Sequence, residues 1–317
     1  LKTTELEPHH IIYNKEYNRP LYDLDYPIAK FTLVNDPVNL LDNLYIAYYN
    51  INGDAYQSVK VSDIIQNNEF EIEGQPYGFY MAANYYDTPS FIYDLRNYHP
   101  KTISNMQMML RHATQILGLE KLDTSNVTKM SLLFYCGELK KLDISNFDTR
   151  NVTQFDNMFA LCEQLEELNL GENFDTSNAT TMNTMFGSCS KLKNIDLSRF
   201  NTSKATNMFH MFFRYYGTTL DLSSFDTTAL EEMTDMFCEN YYCTNLILSS
   251  KFFNSTKLTS YDFSGLSAWT DYESLSNFVN VLPEITSNKA LQLSEQTKNA
   301  LTDEQKQTIN QKGWTIA

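Results

Sequence analysis

The chain has 317 residues, 42% of them hydrophobic, and a formal net charge of −15. That apolar content excludes wholesale disorder and suffices for one large domain or two ordinary ones. The charge repels phosphate backbones, so no nucleic-acid partner is expected, and no apolar run approaches the ~20 residues of a membrane span, so no membrane insertion is expected.

Residues 1–29 are polar and tyrosine-rich, with Pro20 and Pro27, and are expected to be extended. Residues 30–98 have another texture. KFTLV, NLYIAYYNING, YQSVKVSDI, FEIEG and YGFYMAA alternate polar with β-branched or aromatic residues. Alternation of period two marks half-buried strands, and Asn52-Gly53 suits a tight hairpin turn. The expectation is a small antiparallel β domain, of the Ig-like sandwich type, ending in the stretch from Pro89 to Pro100.

A repeat follows over residues 99–270. LKKLDISNFDTRNVTQFDNMFALCEQ (139–164), LEELNLGENFDTSNATTMNTMFGSCSK (165–191) and LKNIDLSRFNTSKATNMFHMFFRYYG (192–217) share one pattern, as does LDLSSFDTTALEEMTDMFCENYY (220–242). The Asp-Thr column falls at Asp148, Asp175, Asn201 and Asp226, a period of 25 to 27 residues. LEKLDTSNVTKMSLLF (119–134) is another copy, ISNMQMML (103–110) a degenerate first one, and LILSS and LTSYDFSGL keep only the strand half. Within a unit, Leu168, Leu170 and Phe174 have the spacing of a short strand leaving into a turn. Ala179, Met182, Met185 and Phe186 then stand at offsets of three, six and seven, which puts them on one face of a helix. The Asp-Thr-Ser-Asn between them has the chemistry of a helix N-cap. Units this short cannot bury their apolar faces alone, so stacking is required. The fold class expected is α/β: a leucine-rich-repeat-like solenoid of short strand plus short helix units, preceded by the antiparallel β domain. Residues 271–317 are expected to form a helical cap, with one helix at 272–283 and another opened by Thr302 with Gln305 in capping-box spacing.

L-x-x-L-D-(I/L)-S-x-F-D-T-S-N-V-T-x-M-x-x-M-F-x-x-C resembles the BspA-like leucine-rich repeat, the bacterial surface protein 26-residue repeat, over roughly residues 100–317. LTDEQKQTINQKGWTIA (301–317) is similar to the segment that often closes such arrays. The resemblance implies a secreted or surface-displayed protein and non-enzymatic adhesion to host matrix glycoproteins or to other cells.

No cofactor, metal ligand or catalytic group is expected. Cys136, Cys162 and Cys189 recur behind the helix phenylalanine, where a cysteine serves as a small inward filler; Cys238 and Cys243 lie off that column and are left open to pairing. His9, His10, His99, His112 and His210 are scattered. Asn126, Asn151, Asn178, Asn201 and Asn254 are N-x-S/T sequons, for which helix capping is the simpler reading and glycosylation the other. The candidate ligand-binding residues are Asp143, Asn169, Asp196 and Asp221, each the middle residue of L-x-L and so pointing away from the core; Ile247 takes the next place in the column and Asp262 follows one unit further on. The column reads either as a solvated face or as a shallow acidic strip for a basic or polar partner. The function expected is a surface-displayed module binding a protein or glycoprotein ligand, extracellular or at the cell surface. The alternative is a component of a larger assembly such as a phage tail, in a virion, where the array would pack on sister chains.

Overall fold

The structure is a computed structural model that describes residues 28–35, 44–49, 56–66, 69–73, 75–81, 90–96, 98 and 103–317. The extended N-terminal segment, the Asn52-Gly53 turn, His9, His10 and His99 lie outside the described residues.

The first strands follow the alternation: β1 (Ile28–Asn35), β2 (Leu44–Tyr49), β3 (Tyr56–Lys60), β4 (Glu69–Glu73) and β5 (Gln75–Met81), with a single helical turn α1 (Val61–Ile64). β3-β2-β5 is antiparallel. The other sheet corrects the Ig-like expectation. Its order is β4-β1-β6-β7, with β6 (Ser90–Asp94) running parallel to β7 (Ala113–Leu117), so the sheet is mixed and its last strand comes from the beginning of the repeat. Phe31, Phe91, Tyr93 and Ala113 are buried there, and the Phe31 and Tyr93 rings meet edge to face at 4.8 Å.

In the repeat, the strand halves form where the L-x-L pattern places them: β8 (Lys141–Asp143), β9 (Glu167–Asn169), β10 (Thr219–Leu222), β11 (Asn245–Leu248) and β12 (Ser260–Phe263). β8–β9 and β10–β11 are separate parallel pairs, because Asn194–Leu197 between them forms no strand. β12 begins a parallel sheet with β13 (Lys289–Leu293) and β14 (Trp314–Ile316).

The second half of each unit overturns the expected solenoid of strand-plus-helix units. No helix forms between 174 and 191 or in the equivalent stretches. Amides alternate between two acceptors instead. Met182, Thr184, Phe186 and Ser188 donate to the carbonyls of Asn207, Phe209, Met211 and Phe213 in the next unit, while Met185, Gly187 and Cys189 donate three residues back. The result is a ladder of tight turns, held to its neighbours by parallel bridges at Asn105, Lys129, Gln154, Thr181, Asn207 and Glu232. Left-handed backbone recurs at every fourth residue of this stretch, with positive φ at Asn157 and Leu161, Thr184 and Ser188, His210 and Arg214, and Asp235 and Glu239. A helix spends all its amides within one unit; here half of them join units together. The architecture is therefore mixed α/β, with small sheets and few helices.

The side chains expected on a helix face are buried all the same, and the conserved geometry stacks them. The rings of Phe134, Phe159, Phe186, Phe212 and Phe237 lie nearly parallel at 5.4 to 6.2 Å. Offset stacks of this spacing contribute ~0.5–1.5 kcal/mol each beyond area burial. The Asp-Thr column is a second seam. Thr149, Thr176 and Thr202 are fully buried, and each hydroxyl donates to the carbonyl and accepts from the amide of the equivalent Asp or Asn one unit on.

The C-terminal part contains α2 (Tyr272–Val281), capped by Asp271, then α3 (Glu295–Ala300) and α4 (Asp303–Gln311). α4 carries the capping box, with Thr302 accepting from Gln305 and the Gln305 side chain accepting from Thr302. Lys312 ties α4 back to the carbonyls that close α2 and follow it, those of Val279, Asn280 and Leu282. Trp269 and Trp314 are buried in this region.

Candidate binding face

The four sequence-singled residues are all exposed, as the L-x-L pattern requires. Asp143 and Asn169 are brought together on β8 and β9, where the Asn169 amide donates to Asp143 Oδ2 at 3.1 Å. Asp221 lies on β10, in the other strand pair, and Asp196 on the strandless segment. They are therefore not rungs of one continuous sheet.

Each side chain is held by its own backbone. Oδ1 of Asp143, Asn169, Asp196 and Asp221 accepts from the amide two residues on, at 2.9, 3.2, 3.0 and 2.9 Å. Asp262 repeats this with Ser264 at 2.9 Å. These are Asx turns, which at Asp143, Asn169, Asp221 and Asp262 end a short strand. Hydrogen bonds from Ser145 and Ser198 favour the ionised form and hold the Asp143 and Asp196 carboxyls below the usual carboxylate range. The neighbouring column is neutralised at one step by an ion pair, Lys141 to Glu167 at 2.7 Å.

A cleft of about 320 Å³, invisible in the sequence, opens beside Asp143. Leu119 and Glu120 in its lining belong to the 3-10 turn at Leu119–Lys121 that the unit before β8 makes in place of a strand. Leu119, Leu139 and Leu142 give it an apolar floor, and Glu120, Lys141 and Asp143 a charged rim. A larger cleft, of about 670 Å³, lies between β11 and the start of α2.

The turn residues are scaffold in a different way from helix caps. Asp148, Asp175, Asn201 and Asp226 each close an Asx turn on the amide two residues on. Asn151 and Asn178 donate from Nδ2 to the carbonyls of Ser125 and Arg150 in the preceding unit, both at 2.7 Å. A glycan at either nitrogen would compete with that bond. Cys136, Cys162 and Cys189 face inward and donate to carbonyls of the preceding unit. Burial pushes the Cys162 thiol up to about 12. Cys238 and Cys243 are free thiols. Among the described residues, no group of three or more His, Cys, Asp or Glu is placed to hold a metal ion, and no helix is long and apolar enough to cross a membrane.

Comparison with known families gives three overlapping matches, at residues 79–138, 105–215 and 135–250, to the family described as "Mycoplasma protein of unknown function, DUF285". Together these cover more than half of the chain, which belongs to that family. No curated protein and no solved structure matches the chain.

Proposed function

We propose that the chain is a non-enzymatic binding module displayed at a cell surface. In this reading it engages a protein or glycoprotein ligand through the exposed face of Asp143, Asn169, Asp196 and Asp221. The observation that carries it is the way these side chains are held. Each gives one oxygen to its own backbone, while the second carboxylate oxygens of Asp196 and Asp221 have no partner among the described residues. A carboxylate locked in this way loses little rotamer freedom when a ligand arrives, so the contact is entropically cheap. Its depressed proton affinity, for Asp143 and Asp196, keeps it charged. The cleft beside Asp143 adds apolar area next to charge, the combination that orients a ligand as well as holding it. The resemblance of the repeat to BspA-like surface proteins supports extracellular display and adhesion. The mechanism is surface complementarity and calls for no cofactor.

The test is binding of the full chain to immobilised matrix glycoproteins and a glycan array, beside Asp196→Lys/Asp221→Lys. Saturable binding that weakens about tenfold or more in the variant is expected, the scale of losing two interfacial charges. Unchanged binding would remove the face from the interface. Self-association of the chain without any ligand, seen by sedimentation, would favour a role inside a larger assembly.

A further inference from the structure

We propose a second binding site, independent of the acidic face, on the aromatic surface around Arg214. Its ligand class is a polypeptide segment presenting Lys or Arg beside an apolar side chain.

The turn ladder shows that the aromatic residues here are not needed by the fold. His210 and Arg214 hold the same left-handed backbone as Thr184 and Ser188 one unit earlier, with φ of 55° and 55° against 53° and 59°. Around them, Phe209 and Phe213 stand where that unit has Asn183 and Gly187. The substituted side chains form a stack. Phe209 lies on His210 at 3.8 Å, His210 on Phe213 at 5.0 Å, and the Arg214 guanidinium sits 4.8 Å from the Phe213 ring. Glu239 takes the Arg214 fork at 2.8 and 3.4 Å, which fixes the end of the stack and neutralises its cation. Tyr216 and Tyr241 lie near Arg214, and Tyr242 packs on Tyr216 at 5.1 Å.

The outer rings stay open to solvent, while His210, Phe213 and Tyr216 are half-buried. Six large hydrophobic residues are exposed among the described ones, and three of them, Phe209 (36%), Tyr241 (53%) and Tyr242 (54%), belong to this patch. Tyrosine and arginine are the residue types that dominate interface hot spots, and a braced stack loses little entropy on binding. Charge decides which partner fits. Arg214 offsets Glu239, whereas Asp235 and Asp262, both close to Cys238, have no Lys or Arg partner among the described residues. Asp235 also lies 3.6 Å from the His210 ring. Exposed tyrosine faces beside uncompensated carboxylates attract a cation twice, through the ring quadrupole and through the ion pair.

The test uses the intact chain, immobilised and panned against a random peptide library, with affinities of the enriched peptides measured on four proteins. These are the parent chain, Tyr241→Ser/Tyr242→Ser, Tyr241→Phe/Tyr242→Phe and Asp196→Lys/Asp221→Lys, all with matched melting curves. The expected peptides are rich in Lys or Arg next to apolar residues. They should lose about tenfold or more on the serine variant, keep most affinity on the phenylalanine variant, and be less affected by the lysine variant. Peptides that lose affinity only on the lysine variant would overturn this site while supporting the acidic face. Absence of enrichment, acidic consensus, or binding confined to a neutral glycan array would each overturn it as well.

Discussion

Replacing Thr184 by Ala and by Gly distinguishes the turn ladder from a helix by the order of two stabilities. Thr184 has φ of 53°, and a β-branched residue in the left-handed region is a strained choice. In a helix, Gly at this position would be less stable than Ala by about 1 kcal/mol. In the ladder, both small residues remove the same side chain, but only Gly escapes the left-handed cost, which is about 1–2 kcal/mol for an L residue. Glycine's greater freedom in the unfolded chain returns roughly 0.4–1 kcal/mol of that. The net expectation is Thr184→Gly above Thr184→Ala by about 0.5–1 kcal/mol, so the two architectures differ by nearly 2 kcal/mol with opposite signs. Urea denaturation monitored by tryptophan fluorescence reads this directly, since Trp269 and Trp314 are buried at the far end of the same structure. If Ala proves the more stable, the alternation of amides between units is wrong.

Three further outcomes follow from the seams and the thiols. Thr176→Val keeps the shape but removes the two part-buried hydrogen bonds that the Thr176 hydroxyl makes with the amide and carbonyl of Asn201; a loss of about 1–3 kcal/mol in urea denaturation is expected for the pair, and Thr176→Ser should recover most of it. Alkylation of the native chain at pH 8, followed by mass mapping, should find Cys238 modified first. Cys136, Cys162 and Cys189 should react only on unfolding, because they are buried and desolvation raises their thiols. For acid, the carboxyls of Asp123, Asp143, Asp148 and Asp196 are lowered in the fold, chiefly by side-chain hydrogen bonds. Their contribution is therefore complete above the unfolded value of about 3.9 and is lost as pH falls through the lower folded values. Melting temperature should not decline from this source between pH 7 and about 5 and should decline below about 4; a decline already under way at pH 6 would refute the assignment.

The columns of the repeat were legible because burial is periodic in one chain. Leu142, Phe147, Val152, Phe155, Met158 and Phe159 are all buried, as their spacing required. Partners of the amides were not legible. Offsets of three, six and seven suit a helix face, and they suit equally the turn ladder, because both return a side chain to the core after a tight turn. What separates the two is a hydrogen bond to the next unit, which no single unit contains. One local hint was present: Asn157 and Asp235 stand at left-handed positions, and Asn and Asp are among the non-glycine residues that tolerate them best. β6 carries no strand expectation of its own, although Phe91, Tyr93 and Leu95 alternate inward, because it falls in the Pro89–Pro100 stretch at which the antiparallel domain is expected to end.

The candidate face shows the same division. Its exposure follows from alternation alone, so Asp143, Asn169, Asp196 and Asp221 could be named from period two. Their Asx turns, the missing strand at Asp196 and the cleft beside Asp143 depend on how adjacent units meet. The aromatic surface around Arg214 had a different kind of signal. A repeat consensus states what stacking demands, so residues that obey it say little about ligands. FHMFFRYYG departs from it at positions where Asn183 and Gly187 satisfy the same backbone. Exposed rings at such positions gain no core burial and carry the cost of hydrophobic area left in water. Packing within the chain does not account for their exposure, which is why the proposed second site is placed at Phe209, Tyr241 and Tyr242 and not on the repeating columns beside them.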